Sequence, residues 1–176
     1  MTSLFARLAA PAAAFAVAAT MALPAASQNK FTADLSGFSE VPSIVSDAVG
    51  SFTATVASDQ ASVTYTLSYS GFDSTVIQAH IHIAQPGVNG AVVVFLCGPA
   101  GSPAHQTCPQ SGSVTDTFTA ADVLNVPAQG VAAGQLDRLL EGLRAGVGYA
   151  NVHTANHPGG EIRGLIKAKT NNQNEQ

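Results

Sequence analysis

The stretch Ser62-Val-Thr-Tyr-Thr-Leu-Ser-Tyr-Ser70 alternates strictly between apolar and hydroxyl-bearing side chains. In an extended chain, Val63, Tyr65, Leu67 and Tyr69 lie on one face and the small polar residues lie on the other. A period of two residues is typical of a strand with one face in the core and the other in water. The stretch therefore predicts a half-buried β-strand.

The same period recurs along much of the chain, which predicts an all-β, mainly antiparallel fold. Eight segments have strand character: 31–35, 50–58, 62–70, 78–84, 91–96, 113–119, 148–153 and 161–168. Asp59-Gln60 and Pro86-Gly87-Val88-Asn89-Gly90 have the composition of turns between neighbouring strands. This organisation predicts an antiparallel β-sandwich or barrel.

One short helix is expected to interrupt the strands. Leucines recur at the spacing of a single helical face: Leu136, Leu139, Leu140 and Leu143. Charged residues occupy the opposite face, and Gly146 ends the pattern, so the leucine stripe is expected to pack on the sheet. A capping box between Thr119 and Asp122 predicts a further single turn, with Asp in place of the usual Glu.

The first 27 residues are expected to be a secretory signal peptide. Arg7 is the only charge before the apolar, alanine-rich run 8–23, and Pro24 and small residues follow. This pattern is typical of an exported chain cleaved near Ala26 or Ser27; the alternative is an uncleaved membrane anchor. The sequence thus predicts a signal peptide (1–27), one domain (28–168) and a disordered polar tail (169–176). No membrane span is expected after cleavage, and the protein should be secreted or periplasmic.

Charge and cysteine content narrow the possible partners and the compartment. Seven Lys and Arg residues against eleven Asp and Glu residues give a net charge of −4. This balance argues against nucleic acid or an anionic membrane as a partner.

Cys97 and Cys108 flank a Gly- and Pro-containing loop, and in an oxidising compartment they are expected to form a disulfide. A redox pair or two thiolate ligands are the alternatives, although both usually show closer spacing.

Three histidines in two separate stretches give the chain its strongest chemical signal. In Gln78-Ala-His-Ile-His-Ile83, the strand period places His80 and His82 on one face. In Tyr149-Ala-Asn-Val-His153, His153 shares a face with Tyr149 and Asn151. If the two strands lie near each other in one sheet, three imidazoles converge on its polar side. Three neutral imidazoles with an open position suit a copper or zinc ion.

Several alternatives stand beside this metal hypothesis. The histidines could instead form a hydrogen-bonded polar network with Asn151, Glu161 and Gln78. Both methionines, Met1 and Met21, lie in the signal segment, so no thioether ligand would remain for Cu(I), which favours Cu(II) or Zn(II).

The remaining polar residues of interest lie close to the predicted histidine strands or in the cysteine loop. His157 could be a fourth ligand or an exposed turn residue, and His105 is expected to be exposed. Glu161 and Arg163 alternate on one strand face and could form an ion pair. The sequence shows no nucleophile paired with a base, no nucleophile-elbow motif and no phosphate-binding glycine loop, so it gives no reason to expect an enzyme.

These segments together resemble the CHRD family, a domain repeated in the developmental regulator chordin and found singly in many exported microbial proteins. The resemblance covers about 31–167. It is carried by Phe31-Thr-Ala-Asp-Leu-Ser-Gly, Glu40-Val-Pro, Ala79-His-Ile-His, Leu143-Arg-Ala-Gly, Tyr149-Ala-Asn-Val-His-Thr and Pro158-Gly-Gly-Glu-Ile-Arg-Gly.

The resemblance implies an immunoglobulin-like β-sandwich with a distant likeness to copper–zinc superoxide dismutases, and it implies no established enzyme activity. Two further functions therefore accompany metal binding as hypotheses. One is a metal-independent module that binds an extracellular or envelope protein. The other is a dismutase-like copper redox enzyme, whose bridging histidine and aspartate ligands have no evident counterparts in this sequence.

Overall fold

The computed structural model describes residues 29–169. Within this range the chain forms one α-helix, α1 (Leu136–Arg144), and three short 3₁₀ turns, Gly37–Ser39, Ala120–Asp122 and Pro127–Gln129. The strands are β1 (Lys30–Ser36), β2 (Val49–Val56), β3 (Ser62–Ser70), β4 (Val76–Ile83), β5 (Ala91–Cys97), β6 (Gly112–Thr119), β7 (Gly148–Thr154), β8 (Ile162–Leu165) and β9 (Lys167–Lys169). The predicted signal peptide lies outside the described residues, as does the predicted tail apart from Lys169.

The strands form one antiparallel sheet in the order β5-β4-β7-β8-β1-β2-β3-β6, and β9 adds to β1. The sheet wraps round until its end strands, β5 and β6, come into contact. A disulfide between Cys97 at the end of β5 and Cys108 ahead of β6 joins these two ends covalently. The prediction of an all-β, sandwich-like or barrel-like fold with one helix is confirmed.

The core consists of the apolar residues that alternate along the strands. In β3, all four apolar residues of the opening stretch are at most 4% exposed. The ring of Tyr65 lies between Phe52 of β2 and Phe118 of β6, with centroid distances of 6.3 and 6.1 Å. The four leucines of α1 are buried as predicted and close this core. Burial of such side chains stabilises the fold by about 1.5–3 kcal/mol each.

The structure differs from the predicted strands at two places. The last predicted strand, 161–168, is two strands, because the chain leaves β7 at Ile166 and continues along the start of β1. Ile166 is fully buried, and its N–H donates to the Gly148 carbonyl. At the start of β4, a register irregularity places Val76 in the core and leaves Ile77 only partly buried, although strict strand alternation would put Ile77 on the core face with Ala79 and Ile81.

Other local predictions agree with the structure. Thr119 and Asp122 form the capping box of the 3₁₀ turn that follows β6. Between β2 and β3, the N–H of Gln60 donates to the Ala57 carbonyl and closes the predicted hairpin. Across residues 29–169, no helix has the length and hydropathy that a bilayer crossing requires.

Candidate metal centre

The two histidine-bearing stretches are adjacent strands of the sheet. β4 pairs antiparallel with β7, and in this register Asn151 lies opposite His80, Tyr149 opposite His82 and His153 opposite Gln78. The alternation of side chains sends Ala79 and Ile81 into the core and all three imidazoles to the other face of the sheet. His80 and His82, two residues apart on β4, therefore lie on the same face as His153 of β7.

The three imidazoles form one compact cluster. Ring centroids are 4.8 Å apart for His80 and His153, 5.5 Å for His80 and His82, and 6.1 Å for His82 and His153. One nitrogen from each ring can be chosen so that all three lie within 4.8 Å of one another. Two nitrogens bound to one ion at about 2.1 Å are at most about 4.2 Å apart, so an ion would draw the rings slightly together.

The alternation alone suggested that the cluster lies on the polar side of the sheet. In the structure this side is covered, and the cluster is buried. His80, His82 and His153 are 2%, 7% and 6% exposed. The Phe95 ring packs against His80 in a T-shaped arrangement, with a centroid distance of 4.3 Å. Two turns also contact the cluster through hydrogen bonds from imidazole nitrogens to main-chain carbonyls. Side chains on this face are therefore withdrawn from water, and each polar atom requires a partner.

Main-chain carbonyls determine the tautomers of two of the histidines. His82 Nδ1 lies 3.0 Å from the Gly90 carbonyl, and His153 Nδ1 lies 3.0 Å from the Pro158 carbonyl. A carbonyl oxygen only accepts, so both Nδ1 atoms carry the hydrogen and both Nε2 atoms present a lone pair. This is the arrangement that orients metal-binding histidines in proteins.

His80 is the third member of the cluster, and not every ring nitrogen in the cluster has a hydrogen-bond partner. Its Nδ1 lies 3.1 Å from His153 Nε2, and it donates to that lone pair when no ion is present. The same separation is close to the roughly 3.3 Å between two nitrogens on a tetrahedral ion with bonds of about 2.0 Å. The Nε2 atoms of His80 and His82 are buried and have no hydrogen-bond partner.

Burial keeps all three imidazoles neutral, which is the form that binds a metal. Desolvation, with smaller contributions from His153 and His82, lowers the pKa of His80 from 6.5 to about 3. Desolvation also lowers the pKa of His82 to about 4, against the hydrogen bond to Gly90. The pKa of His153 is lowered for the same main reason.

A charged pair next to the cluster corrects the predicted pairing of Glu161 with Arg163. Arg163 Nε lies 3.2 Å from Glu40 Oε2, in an ion pair whose side chains are 7% and 3% exposed. That N–H is not aligned for a hydrogen bond, so the contact is mainly electrostatic. Asn151 Nδ2 donates to Glu40 Oε1 at 2.5 Å and to the Ile162 carbonyl.

Glu161 has different partners, because it precedes β8 and does not follow that strand's alternation. It accepts hydrogen bonds from Ser46 at 2.7 Å and Thr154 at 2.6 Å. Glu40 comes from the segment after the first 3₁₀ turn, 111 residues from Asn151. It had appeared in the sequence only as part of a family motif, so nothing there predicted its partner.

Tyr149 and Arg163 extend the cluster on one side. The Tyr149 ring stacks on His82 with a centroid distance of 4.7 Å and an interplanar angle of 4°. The Arg163 guanidinium lies 4.1 Å from the centroid of the same ring. The Tyr149 hydroxyl accepts from the Gly90 N–H, and Arg163 donates to Val88 and Asn89. The turn after β4 is thus held against the site by two side chains that sequence reasoning did not connect with it.

The other two histidines lie outside the cluster. His157 is in the turn after β7, partly buried, and lines a cavity that also includes Asp47, Asp73 and Glu161. His105 is exposed, as expected, and lies between Asp116 and Asp122. Among residues 29–169, the one group of at least three His, Cys, Asp or Glu residues with metal-binding spacing is His80, His82 and His153.

The chain belongs to the CHRD family: the CHRD domain matches residues 31–166, most of the chain. The match includes all three clustered histidines and their partners Glu40, Tyr149, Asn151 and Arg163. No curated protein and no solved structure matches the chain.

Proposed function

We propose that this chain is an exported CHRD-domain protein that binds a copper or zinc ion through His80, His82 and His153. The observation that carries the proposal is the buried cluster itself: one nitrogen of each imidazole lies within 4.8 Å of the others, and His82 Nε2 has no hydrogen-bond partner. A buried polar atom without a partner costs about 1–3 kcal/mol. A bound ion would supply the missing partner for the His82 Nε2 lone pair.

The donor set selects the class of metal. Three neutral imidazole nitrogens suit zinc or copper, whereas calcium and magnesium prefer oxygen ligands. The cysteines in the described residues are joined in a disulfide and do not offer thiolates. Both methionines belong to the N-terminal segment that export would remove. Nitrogen-only coordination favours Zn(II) or Cu(II).

Export is supported by the N-terminal pattern of residues 1–27 and by the disulfide. Disulfides persist in oxidising compartments and are rare in the cytosol. A secreted or periplasmic protein would acquire its ion after folding outside the cytoplasm. Its role would be to bind or handle that ion there.

Metal analysis of the full chain tests this proposal. The chain is expressed with its own N-terminal segment, purified from the exported fraction without an affinity tag, and analysed for bound copper and zinc. We expect one ion per chain, lost in His80→Ala and His153→Ala and retained in His157→Ala and His105→Ala. Equal metal content in all five proteins, or none in wild type after incubation with either ion, would contradict the proposal.

A second candidate is a metal-independent module that binds an extracellular or envelope protein. Exposed apolar side chains favour it: Phe38 is 68% exposed and Val45 is 91% exposed. If this is the function, the midpoint of thermal unfolding should not change when Cu²⁺ or Zn²⁺ is added, since an ion that binds only the folded state must stabilise it. A rise in the midpoint that requires His80 supports the metal proposal instead.

A further inference from the structure

A small cavity opens beside the candidate metal centre, next to Tyr149. Its volume is about 210 Å³, and its lining residues are Ser39, Gln85, Pro86, Gly87, Tyr149, Arg163 and Leu165. This is below the roughly 300–1,000 Å³ of pockets for drug-sized ligands, so the cavity suits a smaller molecule. It lies outside the set of residues that would hold the ion.

Tyr149 stands between this cavity and the histidines. It lies on β7, with His82 opposite it on β4 and Leu165 opposite it on β8. None of the three clustered imidazoles lines the cavity. A molecule in the cavity would therefore touch Tyr149 without reaching the imidazole nitrogens. It could not coordinate the ion, but it could exchange an electron through the aromatic ring.

The packing of Tyr149 on His82 suits such an exchange. The rings are nearly parallel, with centroids 4.7 Å apart, and one ring belongs to a proposed ligand of the ion. The Tyr149 hydroxyl is held by the Gly90 N–H, whose own carbonyl holds His82 Nδ1. Gly90 thus positions both rings of the stack.

We propose that the cavity binds a small enediol or phenol reductant and that Tyr149 conducts its electron to copper held by His80, His82 and His153. This inference rests on the proposed function, with copper as the ion. Pro86 and Leu165 offer apolar walls for a flat ring, and Ser39 and Gln85 offer hydrogen bonds to its hydroxyls. The Arg163 guanidinium also lines the cavity, and Glu40 balances its charge.

The electron balance is simple for an enediol monoanion. The reductant loses one electron and one proton and becomes a radical anion. The electron reduces Cu(II) to Cu(I), and the proton is released to solvent. No bond forms between the reductant and the ion, because Tyr149 separates them.

Anaerobic stopped-flow reduction of the copper-loaded full chain by ascorbate tests the inference. We expect the rate of loss of the Cu(II) absorbance to saturate with ascorbate concentration, as for a reductant that binds before it reacts. Gln85→Trp, at an exposed residue of the lining, fills the cavity and should abolish saturation. Val88→Trp, in the same turn but outside the lining, should retain it.

Two controls separate cavity binding from a change in the copper itself. Hexacyanoferrate(II) is octahedral and lacks a flat ring, so its rate should be linear in concentration and equal in wild type and Gln85→Trp. The electron paramagnetic resonance spectrum of Cu(II) should be the same in both proteins. Tyr149→Leu should slow the saturated rate with ascorbate, and Tyr149→Phe, which keeps the stacked ring, should restore it.

The outcomes distinguish this inference from the proposed function. If copper binds with normal stoichiometry but the ascorbate rate is linear in wild type, or saturates equally in Gln85→Trp, the inference is overturned and the proposed function stands. If no copper binds, both are overturned.

Discussion

The buried histidine cluster and the exposed His105 show the same side chain in two opposite electrostatic settings. His105 has 47% of its side chain exposed, and its two ring nitrogens lie 3.1 Å from Asp116 and 2.7 Å from Asp122. Both nitrogens face carboxylates, an arrangement that favours the doubly protonated, cationic ring. Hydrogen bonding to Asp122 is the main reason that its pKa is raised.

The cluster has the reverse arrangement. Its Nδ1 atoms meet carbonyls and a neighbouring imidazole, and its Nε2 atoms meet no carboxylate. Glu40 and Glu161 lie near the cluster, but they are bonded to Arg163, Asn151, Thr154 and Ser46. Carboxylates next to His105 raise its pKa, whereas burial away from any carboxylate partner lowers the pKa of the clustered imidazoles. The difference teaches that the burial and partners of a histidine, not its residue type, decide its protonation state.

The largest expected effect follows from removing the carboxylate that neutralises Arg163. Glu40→Gln keeps an acceptor for Asn151 but leaves a buried guanidinium without its counter-charge, which should cost about 3–5 kcal/mol in the free energy of unfolding. Urea denaturation measures it. The control is Glu141→Gln, which breaks the exposed pair with Arg138 and should cost at most about 1 kcal/mol. Similar losses in the two variants would contradict the buried-pair account.

The pH dependence of stability should have opposite signs in the two regions. Folding lowers the pKa values of His80 and His82 from 6.5 to about 3 and about 4. Between pH 6.5 and pH 5, the unfolded chain therefore binds more protons than the folded chain. These two residues should lower the stability of the metal-free protein by roughly 3 kcal/mol between pH 6.5 and pH 5.

Urea denaturation at several pH values measures this dependence. His80→Gln should reduce the slope in that window by about 1 kcal/mol per pH unit. An unchanged slope in the variant would mean that His80 is not held neutral by burial.

A pair of adjacent glycines tests how tightly the buried network is packed. Gly160 has φ +121°, and a Cβ added there would lie 2.6 Å from Asn151 Nδ2 and 2.7 Å from Glu40 Oε1. Gly160→Ala should therefore destabilise the protein by about 2 kcal/mol, through backbone strain and displacement of these side chains. Gly159→Ala meets nothing within 4 Å and is the control. Thermal unfolding of both variants compares them, and equal midpoints would refute the packing argument.

The smallest effect is expected at His105. His105→Ala removes exposed ion pairs and should cost less than about 1 kcal/mol near neutral pH. Because the pKa of His105 is raised when folded, its stabilisation is present below pH 6.5 and is lost as pH rises through the folded pKa. The difference in stability between wild type and variant should shrink from pH 6 to pH 9. A difference that grows with pH would show that the ring is not cationic.

Much of the fold could be predicted because strand and helix periods are local properties. The alternation in 62–70 and the leucine spacing in α1 need no knowledge of distant residues. The strand period also placed His80 and His82 on one face, and only the pairing of two strands remained to be supplied for His153. The split of the last strand at Ile166 could not be predicted, since it depends on where β1 begins.

The immediate surroundings of the cluster were much less predictable. The carbonyls of Gly90 and Pro158 orient two imidazoles, yet a main-chain carbonyl has no signature in the sequence. Glu40 was recognised only as part of a family motif and was given no partner, and Arg163 was given the wrong partner. Both errors arise because contacts between residues about 75 to 120 positions apart depend on loop paths that local patterns do not describe.

The amino-acid order alone determined the strand faces, the helix and the residue types available as ligands, because each depends on side-chain periodicity within a few residues. The tertiary structure decided that the histidine face is buried, which tautomers it holds and which carboxylates are drawn away from it. Those properties arise from desolvation and from hydrogen bonds between distant segments, and they exist only once β4, β7 and the turns over them have packed together.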